Sequence, residues 1–208
     1  VFNVAEGLVG RNRESQIPML LEWRGIPYVG SDALTLGVSL DKIVAKQIFL
    51  AEGIPTPRYF QVRDAQTLDD IPLPFPLIIK PRHEGSSKGL SDHSLVQTRE
   101  ALVTQADWLI RTYQQPALVE EFIPGREFTV AIIGNNPPQA QPVVQIQIHG
   151  RTDLGDLFYT FSRIASPTLT YLCPAQIPLA FEQQLRALAL RAYQVIECLD
   201  FGRVDIRV

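Results

Sequence analysis

Cysteine is scarce in this sequence of 208 residues, which contains only Cys173 and Cys198. The two are far apart and lack a Cys-x-x-Cys or histidine-rich neighbourhood, so the sequence indicates neither a zinc site nor a disulfide framework. Long hydrophobic runs are also missing, since no stretch approaches the roughly 20 apolar residues that cross a bilayer. No secretory signal pattern is recognisable. These absences predict a cytoplasmic protein that does not enter a membrane.

Basic runs are absent as well, because 19 basic and 22 acidic residues are mixed along the chain and give a formal net charge of -3. A nucleic-acid-binding surface needs clustered Lys and Arg, so nucleic acid is not an expected partner. Hydrophobic residues make up 46% of the sequence, which is enough for a substantial core. The chain opens without Met on the apolar run Val1–Val4, and we expect an N-terminal segment to precede it.

The apolar residues follow helical and strand periods in turn along the chain. Helices are predicted at residues 13–24, 40–52 (with Ser39 as N-cap), 99–112 and 179–197. Strands are predicted at residues 26–30, 58–62, 75–80, 117–122, 127–133, 143–148 and 203–208. Residues 150–170 follow neither period and are predicted to be a long loop, which in a compact protein is often functional.

This succession indicates a fold that combines α/β with α+β organisation. Residues 1–53 are predicted to be the C-terminal part of an N-terminal α/β domain. Residues 54–134 are predicted to form a central α+β lobe with an antiparallel sheet, and residues 135–208 to begin a C-terminal lobe. The polar, proline-rich stretch at residues 135–138 supports the second boundary.

An apolar strand delivers Lys80 directly into a loop that contains Ser86, Ser87 and two glycines. Lysine at a strand end is a point charge for a phosphate oxygen, while the glycines allow close backbone approach and the serines supply hydrogen-bond donors. The order of residues is neither that of a P-loop nor that of a dinucleotide fingerprint. A polar hairpin loop with an incidental lysine is the alternative interpretation.

Acidic residues mark two further strand ends. Glu120 and Glu121 close one strand and Glu127 follows a Pro-Gly turn, so these carboxylates could accept hydrogen bonds from a ribose hydroxyl or an adenine amine. Solvated surface acids are the alternative. Asp205 lies two residues after Arg203 and therefore on the same strand face. Aspartate suits Mg²⁺ and arginine suits a phosphate or an oxyanion, although a cross-strand salt bridge explains these residues equally well.

Six segments resemble, in order and approximate spacing, the D-alanine–D-alanine ligase family of the ATP-grasp superfamily, and the match covers essentially the whole chain. They are Ser39–Lys42, Lys80–Gly89, Glu120–Phe122, Glu127–Thr129, Tyr171–Ala175 and Gly202–Asp205. The resemblance implies an ATP-grasp fold in which two lobes sandwich ATP. It also implies an ATP-dependent ligase that joins two amino acids through an acyl phosphate, forming D-alanyl-D-alanine or a related dipeptide for peptidoglycan.

The resemblance assigns roles to individual residues. Those it assigns to ATP binding are Lys42, Lys80, Glu84, Ser86, Ser87, Glu120, Glu121, Phe122, Ile123 and Glu127. The two lysines would hold phosphates, residues 120–123 would form the adenine hinge, and Glu127 would bind the ribose. The resemblance further implies that Ser86 positions the substrates, Arg203 stabilises the tetrahedral intermediate and Asp205 binds Mg²⁺ or Mn²⁺. A homodimer is common in the family.

Three departures from the family pattern leave the substrate and the activity open. Glu6 stands where the family usually has histidine, and Arg163 with Ile164 replaces a Lys-Tyr pair. Further Mg²⁺ ligands and an early glutamate of the family fall outside the chain, so we expect a sequence incomplete at both ends. The alternatives to a D-alanine ligase are therefore a nucleotide-binding module without ligase activity and a ligase for another amino acid.

Overall fold

A computed structural model describes residues 1–68 and 70–208. Its α-helices are α1 (Gln16–Trp23), α2 (Ala33–Leu40), α3 (Lys42–Ala51), α4 (Arg99–Tyr113), α5 (Phe161–Ile164) and α6 (Leu179–Val195). Its strands are β1 (Tyr59–Val62), β2 (Leu77–Pro81), β3 (Leu95–Val96), β4 (Ala117–Glu121), β5 (Glu127–Ile133), β6 (Gln139–Ala140), β7 (Val144–Ile148), β8 (Leu169–Leu172) and β9 (Phe201–Arg207). Within these described ranges, no helix is long and apolar enough to cross a bilayer.

The first sheet is antiparallel, with strand order β1-β4-β2-β3. Leu77, Ile79 and Val119 point to one face and form a core with α4. Because side chains alternate across a strand, the neighbouring Lys80 and Glu120 point to the opposite face. This sheet therefore has one face buried against a helix and a second face that carries charged residues.

The second sheet has strand order β6-β5-β7-β8, and β9 pairs with β5 on its other side. The β5–β9 pairing is antiparallel and runs from Glu127 opposite Arg207 to Ile133 opposite Phe201. Phe128 in β5 belongs to a core shared with α6. Alternation along β9 turns Arg207 away from that core, together with the other odd-numbered residues of the strand.

The strand predicted at residues 127–133 exists, but it does not belong to the central sheet in which the sequence placed it. As β5, it pairs with β6, β7 and β9 and is thus part of the second sheet. Its longest pairing is with the last strand of the chain, which a local pattern cannot reveal. The division of the chain at residues 53 and 134 stays a prediction, and the pairing of β5 favours a change of lobe nearer the Pro-Gly turn that precedes it.

The N-terminal helices differ from the prediction in two ways. Helix α2 was not predicted, and Ser39 is its penultimate residue rather than a cap, donating from Oγ to the Thr35 carbonyl at 2.6 Å. Asp41 caps α3 instead, because its Oδ1 accepts from the backbone N–H groups of Ile43 and Val44 at 3.2 and 3.3 Å. The chain thus turns between two short helices where one helix was expected.

Two irregular segments also differ from the expectation. The predicted strand at residues 26–30 is reduced to an isolated parallel bridge between Phe2 and Val29. The predicted loop at residues 150–170 contains the short helix α5 and the first residues of β8. The remaining predicted helices and strands are confirmed to within a few residues at their ends.

Candidate functional site

Two lysines bind one buried carboxylate on the charged face of the first sheet, and a third lysine lies nearby. Helix α3 contributes Lys42 and, one turn later, Lys46, while β2 contributes Lys80. The Glu120 carboxylate, only 5% exposed, lies 2.5 Å from Lys80 Nζ and 2.6 Å from Lys46 Nζ. We call these four residues the lysine cluster. Glu120, predicted to bind adenine, thus directs both of its oxygens to lysines.

The lysine cluster has more positive than negative charge. Burial opposes ionisation of Glu120, but the neighbouring Lys80 and Lys46 charges outweigh burial and hold the pKa of this carboxyl below its usual value. Lys42 donates to the backbone carbonyl of Glu84, which does not neutralise it. Burial, followed by the nearby charge of Lys80, lowers the pKa of Lys42 to about 8. An anion with several charged oxygens would complete this environment.

Asp41 locks the helix that bears Lys42 to the strand that bears Lys80. Beyond its capping role, its carboxylate accepts from Arg82 Nε at 2.6 Å and Arg82 Nη2 at 2.7 Å, and Arg82 follows β2 directly. Asp41 is 1% exposed. Burial opposes its ionisation, yet hydrogen bonds from Arg82 and Val44 leave its pKa lowered. Such a pairing fixes the relative position of the two phosphate-binding candidates.

The loop after β2 adopts an unusual backbone. Ser86 and Ser87 both have left-handed φ values, 53° and 56°, which cost energy in residues other than glycine and occur where a site constrains the chain. Ser86 Oγ lies 3.3 Å from Glu6 Oε1, and Lys88 Nζ lies 3.2 Å from Glu6 Oε2. Gly89 is required for packing, because a Cβ there would approach a Pro81 side-chain carbon to 2.4 Å.

Glu84 lies at the start of this loop, beside Lys42. Its carboxylate accepts from Gln115 Nε2 at 3.0 Å and lies 3.4 Å from Arg13 Nη2. The Ser87 carbonyl accepts a hydrogen bond from the Leu90 N–H at 3.0 Å and so closes a turn in the loop. Glu84 therefore belongs to the surroundings of the lysine cluster, whereas Ser87 contributes to loop shape.

The predicted adenine hinge continues from Glu120 into the connection between the two sheets. Glu121 points away from the lysine cluster and binds Arg58 Nε at 2.8 Å. The Phe122 ring packs edge-on against Phe158, with ring centroids 5.9 Å apart. These residues form the strand end and the aromatic surface expected of a base-binding hinge, but their role in binding stays a prediction.

Glu127 and Arg207 face each other across β5 and β9. Glu127 Oε2 lies 3.0 Å from Arg207 Nη1, and the same guanidinium donates to the Ile123 carbonyl. Burial raises the pKa of Glu127, and the charge of Arg207 only partly opposes this increase. Of the residues predicted to bind adenine and ribose, Phe122, Ile123 and Glu127 are therefore brought together around Arg207.

Arg203 and Asp205 form a salt bridge with each other within β9, whereas the alternative left open by the sequence was a salt bridge across strands. Arg203 Nε lies 3.1 Å from Asp205 Oδ1, and both side chains are largely exposed. Among residues 1–68 and 70–208, no group of three or more His, Cys, Asp or Glu side chains is arranged to hold a metal. The role of Asp205 in binding Mg²⁺ stays a prediction, and an aspartate supplies one oxygen ligand of the kind that this ion takes.

Sequence reasoning missed three residues of this site: Lys46, Asp41 and Arg207. Lys46 follows Lys42 by one helical turn, a spacing that puts both on one side of α3. Asp41 is an aspartate directly before a helix, which is a recognisable capping signal. Arg207 lies two residues after Asp205 and thus on the same face of β9.

Two antiparallel sheets, the first of which carries the lysine cluster, form the ATP-grasp class of fold, which the likeness to solved ligases also shows. The chain belongs to the family described as D-ala D-ala ligase C-terminus, whose family model matches residues 48–208.

Two curated relatives and one solved structure resemble the chain along its whole length. A D-alanine–D-alanine ligase of Herminiimonas arsenicoxydans is 37% identical over 216 residues, covering 100% of this chain and 61% of the ligase. An uncharacterized protein of Sinorhizobium fredii, y4sG, is 35% identical over 209 residues, covering 100% of this chain and 60% of that protein. The solved structure of D-alanine–D-alanine ligase from Bacillus anthracis complexed with ATP is 22% identical and superposes with a TM-score of 0.75, covering 100% of this chain and 62% of that one. The chain thus spans about three fifths of the length of the curated relatives it matches.

Proposed function

We propose that the protein is an ATP-dependent carboxylate–amine ligase that forms D-alanyl-D-alanine or a related dipeptide. The lysine cluster carries this proposal, because Lys46 and Lys80 pair with the Glu120 carboxylate while Lys42, held by the Glu84 carbonyl, lies near Lys80. A polyphosphate would supply the missing negative charge. Family membership and the names of the ligase relatives support the same function.

In the proposed reaction, Lys42 and Lys80 hold the phosphates of ATP while a carboxylate oxygen of the first amino acid attacks the γ-phosphorus and ADP leaves. The amine of the second amino acid then attacks the acyl carbon. Phosphate departs from the tetrahedral intermediate, and the new amide nitrogen loses a proton to solvent or a nearby base. Ser86 would position the substrates, and the Arg203 guanidinium would stabilise the oxyanion.

The remaining assignments follow the geometry around the hinge. The backbone of Phe122 and Ile123 would bind the adenine edge, and Glu127 would accept a hydrogen bond from the ribose. Mg²⁺, held by Asp205 with phosphate and water, would neutralise charge on the transferred phosphoryl group. Because the reaction consumes ATP and small amino acids, we place it in the cytoplasm. A homodimer is proposed as the assembly, to be checked from the mass in solution.

Phosphate release from MgATP by the full-length gene product, measured across D- and L-amino acids, tests the proposal. Release stimulated by D-alanine and lost in Lys80→Ala is expected. Arg111→Ala is the matched control, because Arg111 pairs with Asp107 on the outer surface of α4 and its loss should leave release unchanged. Stimulation by another amino acid alone would retain the ligase and change its substrate.

A nucleotide-binding module without ligase activity is the second candidate. One observation favours it: Arg203 and Asp205, the residues proposed to act on the intermediate and the metal, neutralise each other. This candidate predicts that ATP binds with an affinity that depends on Lys80, while no amino acid stimulates phosphate release. Binding and release measured on the same preparation separate the two candidates.

A further inference from the structure

Arg207 lies where the proposed function places the nucleoside of ATP. Its guanidinium carbon lies over the Phe122 ring, 4.8 Å from the ring centroid, as in a cation–π contact. Its Nε donates to the Ile123 carbonyl, and its Nη1 lies 3.0 Å from Glu127 Oε2. One side chain thus uses the ring, the carbonyl and the carboxylate that were assigned to adenine and ribose.

The guanidinium is also bound on its remaining side. Arg207 Nη2 donates to the carbonyls of Gly155 and Leu157, each at 2.8 Å. The side chain is 16% exposed, so these contacts are largely shielded from water. Arg207 therefore has an acceptor on each of its three nitrogens and does not need a ligand to satisfy them.

We propose that Arg207 is a built-in competitor of the nucleoside, and that ATP binds only when its base and ribose displace this guanidinium. The inference rests on the proposed function. The chemistry of the two groups is alike: the exocyclic amine of adenine and a guanidinium N–H both donate to a carbonyl, and a ribose hydroxyl and a guanidinium N–H both donate to Glu127. Both are also flat groups that stack on an aromatic ring.

Because Arg207 competes with the nucleoside, the affinity for a nucleotide depends mainly on how its phosphates bind. A ligand that binds only the form with Arg207 displaced has its affinity reduced by the fraction of molecules in that form. ATP can overcome this reduction because its phosphates also bind the lysine cluster, whereas adenosine has no such contribution. The arrangement thus discriminates against nucleosides and selects charged nucleotides.

Calorimetric titration of the full-length protein with ATP, adenosine and tripolyphosphate tests the inference. Arg207→Met should tighten the binding of ATP and of adenosine roughly tenfold or more, about the equivalent of one competing charged hydrogen bond. Tripolyphosphate binding should not change, because Arg207 does not compete with phosphates. Arg126→Met is the matched control: Arg126 packs over Phe128 and Phe181, outside the nucleoside position, and its loss should alter none of the three affinities.

Each outcome decides the question. Tighter binding of ATP and adenosine in Arg207→Met supports the competitor, and binding of ATP by this variant alone supports it more strongly. If ATP binds the unaltered protein and the variant equally, or the variant more weakly, the inference is wrong while the proposed function stands. If neither protein binds ATP, both fall. Should Arg207→Met not fold, as its melting curve would show, Arg207→Lys replaces it, because lysine cannot reach all four acceptors and should also tighten adenosine binding.

Discussion

Glu120 should contribute more to stability than other carboxylates at the hinge. Its two oxygens bind Lys80 and Lys46 at 2.5 and 2.6 Å, and it is almost fully buried. Glu120→Gln preserves the shape of the side chain and removes its charge. The two ammonium groups would then face each other across a neutral amide, with Lys42 near Lys80.

The size of the effect follows from the burial of each partner. Removing one member of a buried ion pair costs about 3–5 kcal/mol, because the remaining charge loses its compensation. The Lys46 side chain is 7% exposed and has little access to water, whereas that of Lys80 is 22% exposed and can be partly solvated. We therefore expect Glu120→Gln to lower the free energy of unfolding by about 3 kcal/mol, at the low end of that range. Tripolyphosphate should restore part of this loss by binding the uncompensated lysines.

Urea unfolding of the unaltered protein, Glu120→Gln and Glu121→Gln measures the difference. Glu121 is the next residue of β4 but pairs with Arg58 at the surface, where an ion pair contributes about 0–1 kcal/mol. The two variants thus compare a buried and an exposed carboxylate within one strand. Equal unfolding midpoints for both variants would refute the central role of Glu120 in the lysine cluster.

Further predictions concern the cap, the pH response and the loop. Asp41→Ala should lower the free energy of unfolding by about 3 kcal/mol, and Asp41→Asn by less, since asparagine still caps α3. The pKa of Asp41 is lower in the folded protein than in the unfolded chain. The stabilisation by its carboxylate should therefore be complete above about pH 4, the unfolded pKa, and be lost as the pH falls through the folded pKa, as acid unfolding will show. Lys42 has a pKa of about 8, so nucleotide affinity should fall as pH rises past 8, and Lys42→Arg should remove this dependence in titrations. Asp92→Ala breaks the 2.7 Å pair with Arg163 and should speed proteolysis within residues 150–166, unlike Asp107→Ala.

Most of the fold could be predicted where the apolar period is long and clear, as in α4 and α6. Helix α2 was missed because its eight residues include Gly37 and other weak helix formers, so its sequence has little intrinsic helical preference. Its position depends on tertiary contacts instead, including the Ser15 hydroxyl that donates to the Ala33 carbonyl at 2.5 Å. Contacts of this kind join residues that no local window contains.

In the site as well, some residues could be predicted from local sequence, whereas the positions of others depend on long-range strand pairing. Lys42 and Lys80 were identified from their motifs and lie together in the structure. The orientation of Glu120 toward the lysines depends on how β4 registers with β2, where Lys80 lies opposite Leu118 and Ile78 opposite Glu120. Arg207 was not singled out in the sequence, because only the β5–β9 pairing places it beside Glu127.

The four-stranded sheet begins and ends on neighbouring strands, since Tyr59 in β1 pairs with Glu120 in β4. The Glu121 N–H also donates to the Arg58 carbonyl at 3.0 Å, so the chain departs and returns at one place. The pairing of β1 with β4 therefore holds together the two ends of the segment that lies between these strands. Because this pairing already holds the ends together, an insertion or deletion within the segment should cost little further chain entropy.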